Sequence, residues 1–156
     1  MKEQEKNVLV KKEEVKAIQL SNSIDESDRV KKFTTVDITD KKDANMLVNG
    51  MQKPDMYLKD CVDQVIECVG CYVVARDNDS FNEDTGETVT RTKHILMLFD
   101  VNGKSYLTGS GMCYRAFSDI TAINGLPSKE NPIKFKPINI DAEEKGHKFL
   151  SLVVVD

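Results

Sequence analysis

A mainly β domain is predicted by three features of this sequence. Runs rich in β-branched and aromatic residues recur after residue 60. An Asn-Gly pair at Asn102-Gly103 joins two of these runs, which is a strong hairpin signal because both turn residues tolerate positive φ. One amphipathic stretch, Met112 to Ile123, separates the first three runs from the last two.

The first sixty residues differ from the rest. They carry 12 basic and 12 acidic residues, with charged stretches at Lys11 to Glu14 and Asp25 to Lys32 between short apolar pieces. Residues 1–30 therefore read as a flexible extension and 31–156 as the folded domain. Val30 to Ile38 has strand composition, and Thr39 or Asp40 is placed to cap a short helix reaching Val48. Asn49-Gly50 is expected to end that helix, and Pro54 follows in a turn-like segment.

Val65 to Arg76 predicts a strand, and the acidic stretch from Asp77 to Glu87 a solvated hairpin loop. The chain resumes extended from Thr88 to Asp100, turns at Asn102-Gly103 and returns from Lys104 to Thr108. Gly109-Ser110-Gly111 breaks this strand. The helix that follows is expected to bury Met112, Ala116, Ile120 and Ile123, and Asn124-Gly125 with Pro127 stops it. Ile133 to Ile140 and His147 to Val155 predict two final strands. This order matches a five-stranded OB-fold barrel, with its helix between strands 3 and 4, preceded by the leading strand and short helix. A small β-rich α+β sheet would produce a similar string.

Length and charge narrow the function classes. A chain of 156 residues with 40% hydrophobic content suits one domain. Its 22 Lys and Arg against 26 Asp and Glu give a formal net charge of -4, so polyanion binding requires a local basic face. Outside the acidic stretch, residues 61–156 hold nine acids against ten bases, and the net figure misstates the local field. No run is long enough to span a membrane and the start is charged rather than apolar, so a cytoplasmic protein without membrane contact is expected.

The four cysteines, Cys61, Cys68, Cys71 and Cys113, suit that compartment as buried thiols. Cys68 and Cys71 have a zinc-like spacing, but on a regular strand they face opposite sides and His94 and His147 are isolated. No metal or other cofactor is expected. Phosphate-loop and paired-histidine motifs are absent, and Ser110 between two glycines has the wrong flanking element for a nucleophile motif and no acid-base partner placed for it, the glycines letting the chain leave the strand for the helix. A catalytic role is therefore not expected.

Taking Asn102-Gly103 as a two-residue turn sets Phe99 opposite Tyr106 and Val101 opposite Lys104. One hairpin face then collects Arg91, Lys93, Ile95, Met97, Phe99, Lys104, Tyr106 and Thr108, and the other holds the interior residues. Two rings among three cations suit single-stranded nucleic acid, with bases stacking on rings and cations following phosphates. A plain cross-strand aromatic pair, covered by the N-terminal segment, would give the same pattern. Lys134 and Lys136 alternate with Ile133 and Phe135 and extend the positive track. Tyr114 and Arg115, at the mouth of the helix, are further candidates.

The run from Phe99 through Asp-Val-Asn-Gly-Lys-Ser-Tyr-Leu-Thr to Ser110, the helix after it and the late Pro132-Ile-Lys-Phe-Lys136 strand resemble the small OB-fold single-stranded DNA-binding proteins of Gram-positive phages and conjugative plasmids. The resemblance covers roughly residues 33 to 155. It implies non-sequence-specific coverage of single strands exposed in replication or plasmid transfer, often with cooperative or homo-oligomeric binding, and the stacking and phosphate chemistry of these residues serves single-stranded DNA and RNA alike. It places stacking on Tyr106 and Phe99 and phosphate contacts on Lys93, Lys104 and Arg91. The chain ends in an apolar strand rather than an acidic tail and has no Trp, which makes the N-terminal extension the expected arm for self-association. The alternative is a β-barrel adaptor that uses the same face for protein contacts in a transfer or replication complex.

Overall fold

The computed structural model describes residues 29–141 and 146–156. The expected flexible extension lies outside the described residues except for Arg29 and Val30. Strand β1 (Val30–Thr34) pairs antiparallel with the middle of β3. It ends four residues earlier than expected because Thr35 and Thr34 turn their hydroxyls inward. Thr35 Oγ1 donates to the Pro127 carbonyl at 2.7 Å and Thr34 Oγ1 to that of Cys71 at 2.8 Å.

Helix α1 (Lys41–Gln52) begins at Asp40, whose Oδ1 accepts from the Asp43 amide at 3.1 Å. It does not stop at Gly50. A Cβ at that position would lie 3.0 Å from both Met97 Sδ and Phe99 Cε1, so glycine is needed for close packing on the sheet. Strand β2 (Met56–Tyr57) and a 3₁₀ turn (Leu58–Asp60) follow.

The long strands β3 (Ile66–Asn82) and β4 (Glu87–Asp100) form the backbone of the molecule, joined by β5 (Ser105–Thr108). Helix α2 (Gly111–Asn124) is capped by Ser110, whose Oγ accepts from the Cys113 amide, and stops at Gly125 with φ of 80°. Its buried stripe is Cys113 and Phe117, flanked by Ala116 and Ile120. Met112 and Ile123, expected inside, are 41% and 87% exposed, because the helix presents the neighbouring face of its helical wheel. Strands β6 (Ile133–Asp141) and β7 (Lys148–Val154) complete the chain.

One mixed sheet contains all seven strands in the order β2-β5-β4-β3-β6-β7, with β1 also on β3. The sheet is open where a closed five-stranded barrel was expected. Closure would pair β5 with β7, but the free edge of β5 is taken by β2 in parallel register, Met56 against Tyr106 and Tyr57 against Leu107.

Two apolar clusters lie on opposite sides of the sheet. Leu96, Leu98, Tyr106, Cys113, Phe117, Phe135 and Leu152 pack on the α2 side. Met97, Phe99 and Tyr72 pack on the other, beneath Leu47, Met46, Val36 and Ile38 from α1 and the segment before it. A helix on each face thus removes both sides of the central hairpin from water. Among the described residues no helix is long and apolar enough to cross a membrane.

Candidate nucleic-acid interface

The aromatic platform expected on the central hairpin is not formed. Its turn holds three residues, since Asp100 pairs with Lys104 through the Asp100 amide and Lys104 carbonyl at 3.0 Å. Phe99 therefore lies opposite Ser105 and Leu98 opposite Tyr106. A slip of one residue moves a side chain to the other face of a strand, so Tyr106 joins the α2 side while Phe99 stays on the α1 side. Phe99 is fully buried and Tyr106 is 8% exposed.

The remaining expected residues are dispersed. Lys104 is exposed at the turn, its Nζ 6.0 Å from the Tyr106 ring centroid. Tyr114 is half-buried and stacks on His94, with centroids 3.9 Å apart and planes 6° from parallel, which occupies one of its faces. Arg115 is exposed on α2. Lys134 is exposed directly opposite Glu67, and Lys136 is half-buried opposite Val153. Arg91 and Lys93 share one exposed strand face.

That face belongs to an arm. Where a solvated loop was expected, β3 and β4 stay paired from Asp77 against Thr92 to Asn82 against Glu87, with Gly86 at φ of 70° closing the turn. Six residue pairs beyond the core give a ribbon about 20 Å long. The acids do not dissolve the strand because two of them have hydroxyl partners directly across the ladder. Thr92 Oγ1 donates to Asp77 Oδ1 at 2.6 Å and Thr90 Oγ1 to Asp79 Oδ1 at 2.7 Å.

Directly opposed residues share a sheet face, which sorts the arm's charges. On one face lie Asp77 and Asp79, with Asp79 also held by both guanidinium nitrogens of Arg29 at 2.5 and 2.8 Å. The Arg29 and Thr90 hydrogen bonds pull the Asp79 carboxyl down to about 2. On the other face lie Arg76 opposite Lys93, Arg91 opposite Asn78, and Lys32 opposite Val74, with Glu87 near the tip. Among the described residues none of these four cations is in an ion pair. Val89 and Ile95, 44% and 37% exposed, lie on that same face.

Arg76 and Lys32 were not singled out in the sequence because the pairings that bring them to this face, β1 with β3 and β3 with β4, join residues distant in sequence. The alternation Thr88, Thr90, Thr92 was already part of the expected strand from Thr88, and it carries no sign that the acidic residues before it pair with it.

The cysteines contain one local surprise. A bulge between Cys68 and Gly70 shifts the register of β3, so Cys68 and Cys71 both enter the core on the α2 side instead of facing opposite ways. Burial pushes their thiols up to about 12 and about 11, and Cys113 to about 12. Among the described residues no cluster of side chains is arranged to hold a metal ion. A separate open groove of about 370 Å³ lies on the α2 side, lined by Phe33, Val73, Tyr114, Phe117 and Leu126.

The chain matches no family model, no curated protein and no solved structure.

Proposed function

We propose that this protein binds single-stranded DNA without reading its sequence, and that the cationic face of the β3–β4 arm follows the phosphate backbone. The observation that carries the reading is the separation of charge across the arm. Among the described residues Lys32, Arg76, Arg91 and Lys93 share a face without carboxylate partners, while on the other face Asp79 is paired with Arg29 and Asp77 is held by the Thr92 hydroxyl. An acidic chain thereby presents a local surface suited to a polyanion. The sheet path β5-β4-β3-β6-β7 is read as an OB-fold opened at its closing edge by β2, with the arm as the loop between its first two strands.

Because Phe99 and Tyr106 are buried, phosphate contact rather than stacking supplies most of the affinity. RNA single strands are accommodated by the same chemistry, and replication or plasmid transfer is the proposed setting. Anisotropy of labelled oligo-dT, matched duplex and oligo-rU across a salt series tests the reading. Tighter binding to single strands, lost on Arg76→Ala with Lys93→Ala, supports it, and equal or tighter binding to the duplex overturns it. A second reading, a protein adaptor, is favoured by the apolar groove beside Phe33 and Phe117. Partner binding there would respond little to salt.

A further inference from the structure

The arm leaves one strand edge open. β3 pairs with the inner side of β4 throughout, whereas β5 covers its outer side only from Leu96 to Phe99. From Glu87 to Ile95 the outer edge of β4 has no strand partner among the described residues, and every residue of this segment except His94 is exposed. An exposed edge of this length, rich in β-branched residues, is a template for another strand.

We infer that this edge pairs antiparallel with the same edge of a second copy of this chain, in the register centred on Val89. The sequence of the edge selects the partner and the register. A two-fold axis perpendicular to the ribbon keeps matching faces together and pairs only residues of equal parity. Centring on Arg91 sets two guanidinium groups directly opposite each other, and centring on Thr90 pairs Glu87 with Lys93 and Thr88 with Thr92 but sets each Val89 against a charged Arg91. Centring on Val89 sets each Glu87 opposite the other copy's Arg91, Val89 opposite Val89, and Thr88 opposite Thr90. Opposite charges and β-branched pairs are the favourable cross-strand combinations, and this register alone of the three joins a charge pair to an apolar Val pair with no cation set against a β-branched side chain. Glu87, the one acid on the cationic face, thereby acquires a partner. Because the axis preserves faces, Lys32, Arg76 and Lys93 of both copies fall on the same side of a four-stranded ribbon.

The test uses the full chain without nucleic acid, by sedimentation velocity over a concentration series, so it stands apart from the binding reading. The wild type is expected to form dimers. Glu87→Arg alone places Arg against Arg, and Arg91→Glu alone places Glu against Glu, twice per dimer by symmetry. Each is expected to weaken association by more than about tenfold. An equimolar mixture of the two variants restores both charge pairs and is expected to recover the dimer. Val89→Cys is expected to cross-link across the axis under mild oxidation, and Ser80→Cys on the inner strand is not. A wild type that stays monomeric, single variants that dimerise like it, or a mixture that remains monomeric would each overturn the proposal.

Discussion

The Tyr106 hydroxyl donates a 2.9 Å hydrogen bond to Asp100 Oδ2, and the other oxygen of that carboxylate accepts the Asn102 and Lys104 amides at 2.9 Å each. One buried carboxylate thus ties the turn to the strand that follows it. Burial and the neighbouring Asp100 both push the Tyr106 hydroxyl pKa up, keeping it a donor. Replacing Tyr106 by Phe leaves a buried carboxylate oxygen without its donor. The expected loss is about 1–3 kcal/mol in urea unfolding. DNA affinity at equal folded fraction is expected to stay unchanged, since the ring faces the core.

Gly50→Ala tests the seat of α1. In a free helix the change would favour folding by about 1 kcal/mol. Here the new methyl meets Met97 and the fully buried Phe99 ring at 3.0 Å, and overpacking of this kind costs about 1–3 kcal/mol. Net destabilisation is expected by thermal unfolding, whereas Asn49→Ala, exposed on the same helix, is expected to hold or raise the melting point.

Acid is expected to loosen the contact between Arg29 and the arm. The Asp79 carboxyl lies near 2, below its ordinary 3.8, so its contribution to folding is present above the ordinary value and fades as pH falls through about 2. NMR titration of the side-chain carboxyl should show this midpoint. In Arg29→Ala it should move back up towards 3.8, less the part that Thr90 retains.

Thiol labelling reports on the core. All four cysteines are buried and their thiols are pushed up by desolvation, so little thiolate exists at pH 8. Iodoacetamide is expected to modify none of them in the folded protein over minutes and all of them in guanidinium. Rapid native labelling of Cys68 or Cys71 would contradict the packing at the bulge.

Salt dependence counts the phosphate contacts. Four cations on a single strand give a slope of log affinity against log salt of about -3, and removing two of them reduces it by about 1.4. Arg76→Ala with Lys93→Ala is the pair to use, because both side chains are exposed. Arg115→Ala, on α2, is expected to leave the slope unchanged.

The element order after residue 60 was legible because strand composition, the Asn-Gly turn and the Ser110 and Gly125 helix ends are local signals. Three features were not. The hairpin parity depended on Asp100 drawing the turn to three residues, and that single shift separated Phe99 from Tyr106. The arm was hidden because Asp77 and Asp79 are poor strand formers until Thr92 and Thr90 stand opposite them. The open sheet depended on Met56 and Tyr57 occupying an edge about which their own two-residue run says nothing. Each is a decision made by residues distant in sequence, and local propensity cannot register it.

The pairing of β2 with β5 also has a consequence for vectorial synthesis. The Asp55 amide meets the Ser105 hydroxyl at 2.9 Å across a separation of 50 residues, and Met56 adjoins Tyr106. At about 5–20 residues per second, the N-terminal strap emerges roughly 2.5–10 s before the strand it must dock on. During that interval Met46, Leu47 and Met56 have no native surface to cover them. The stretch that shields Phe99 in the finished fold is therefore itself unshielded until Phe99 and Tyr106 have been made.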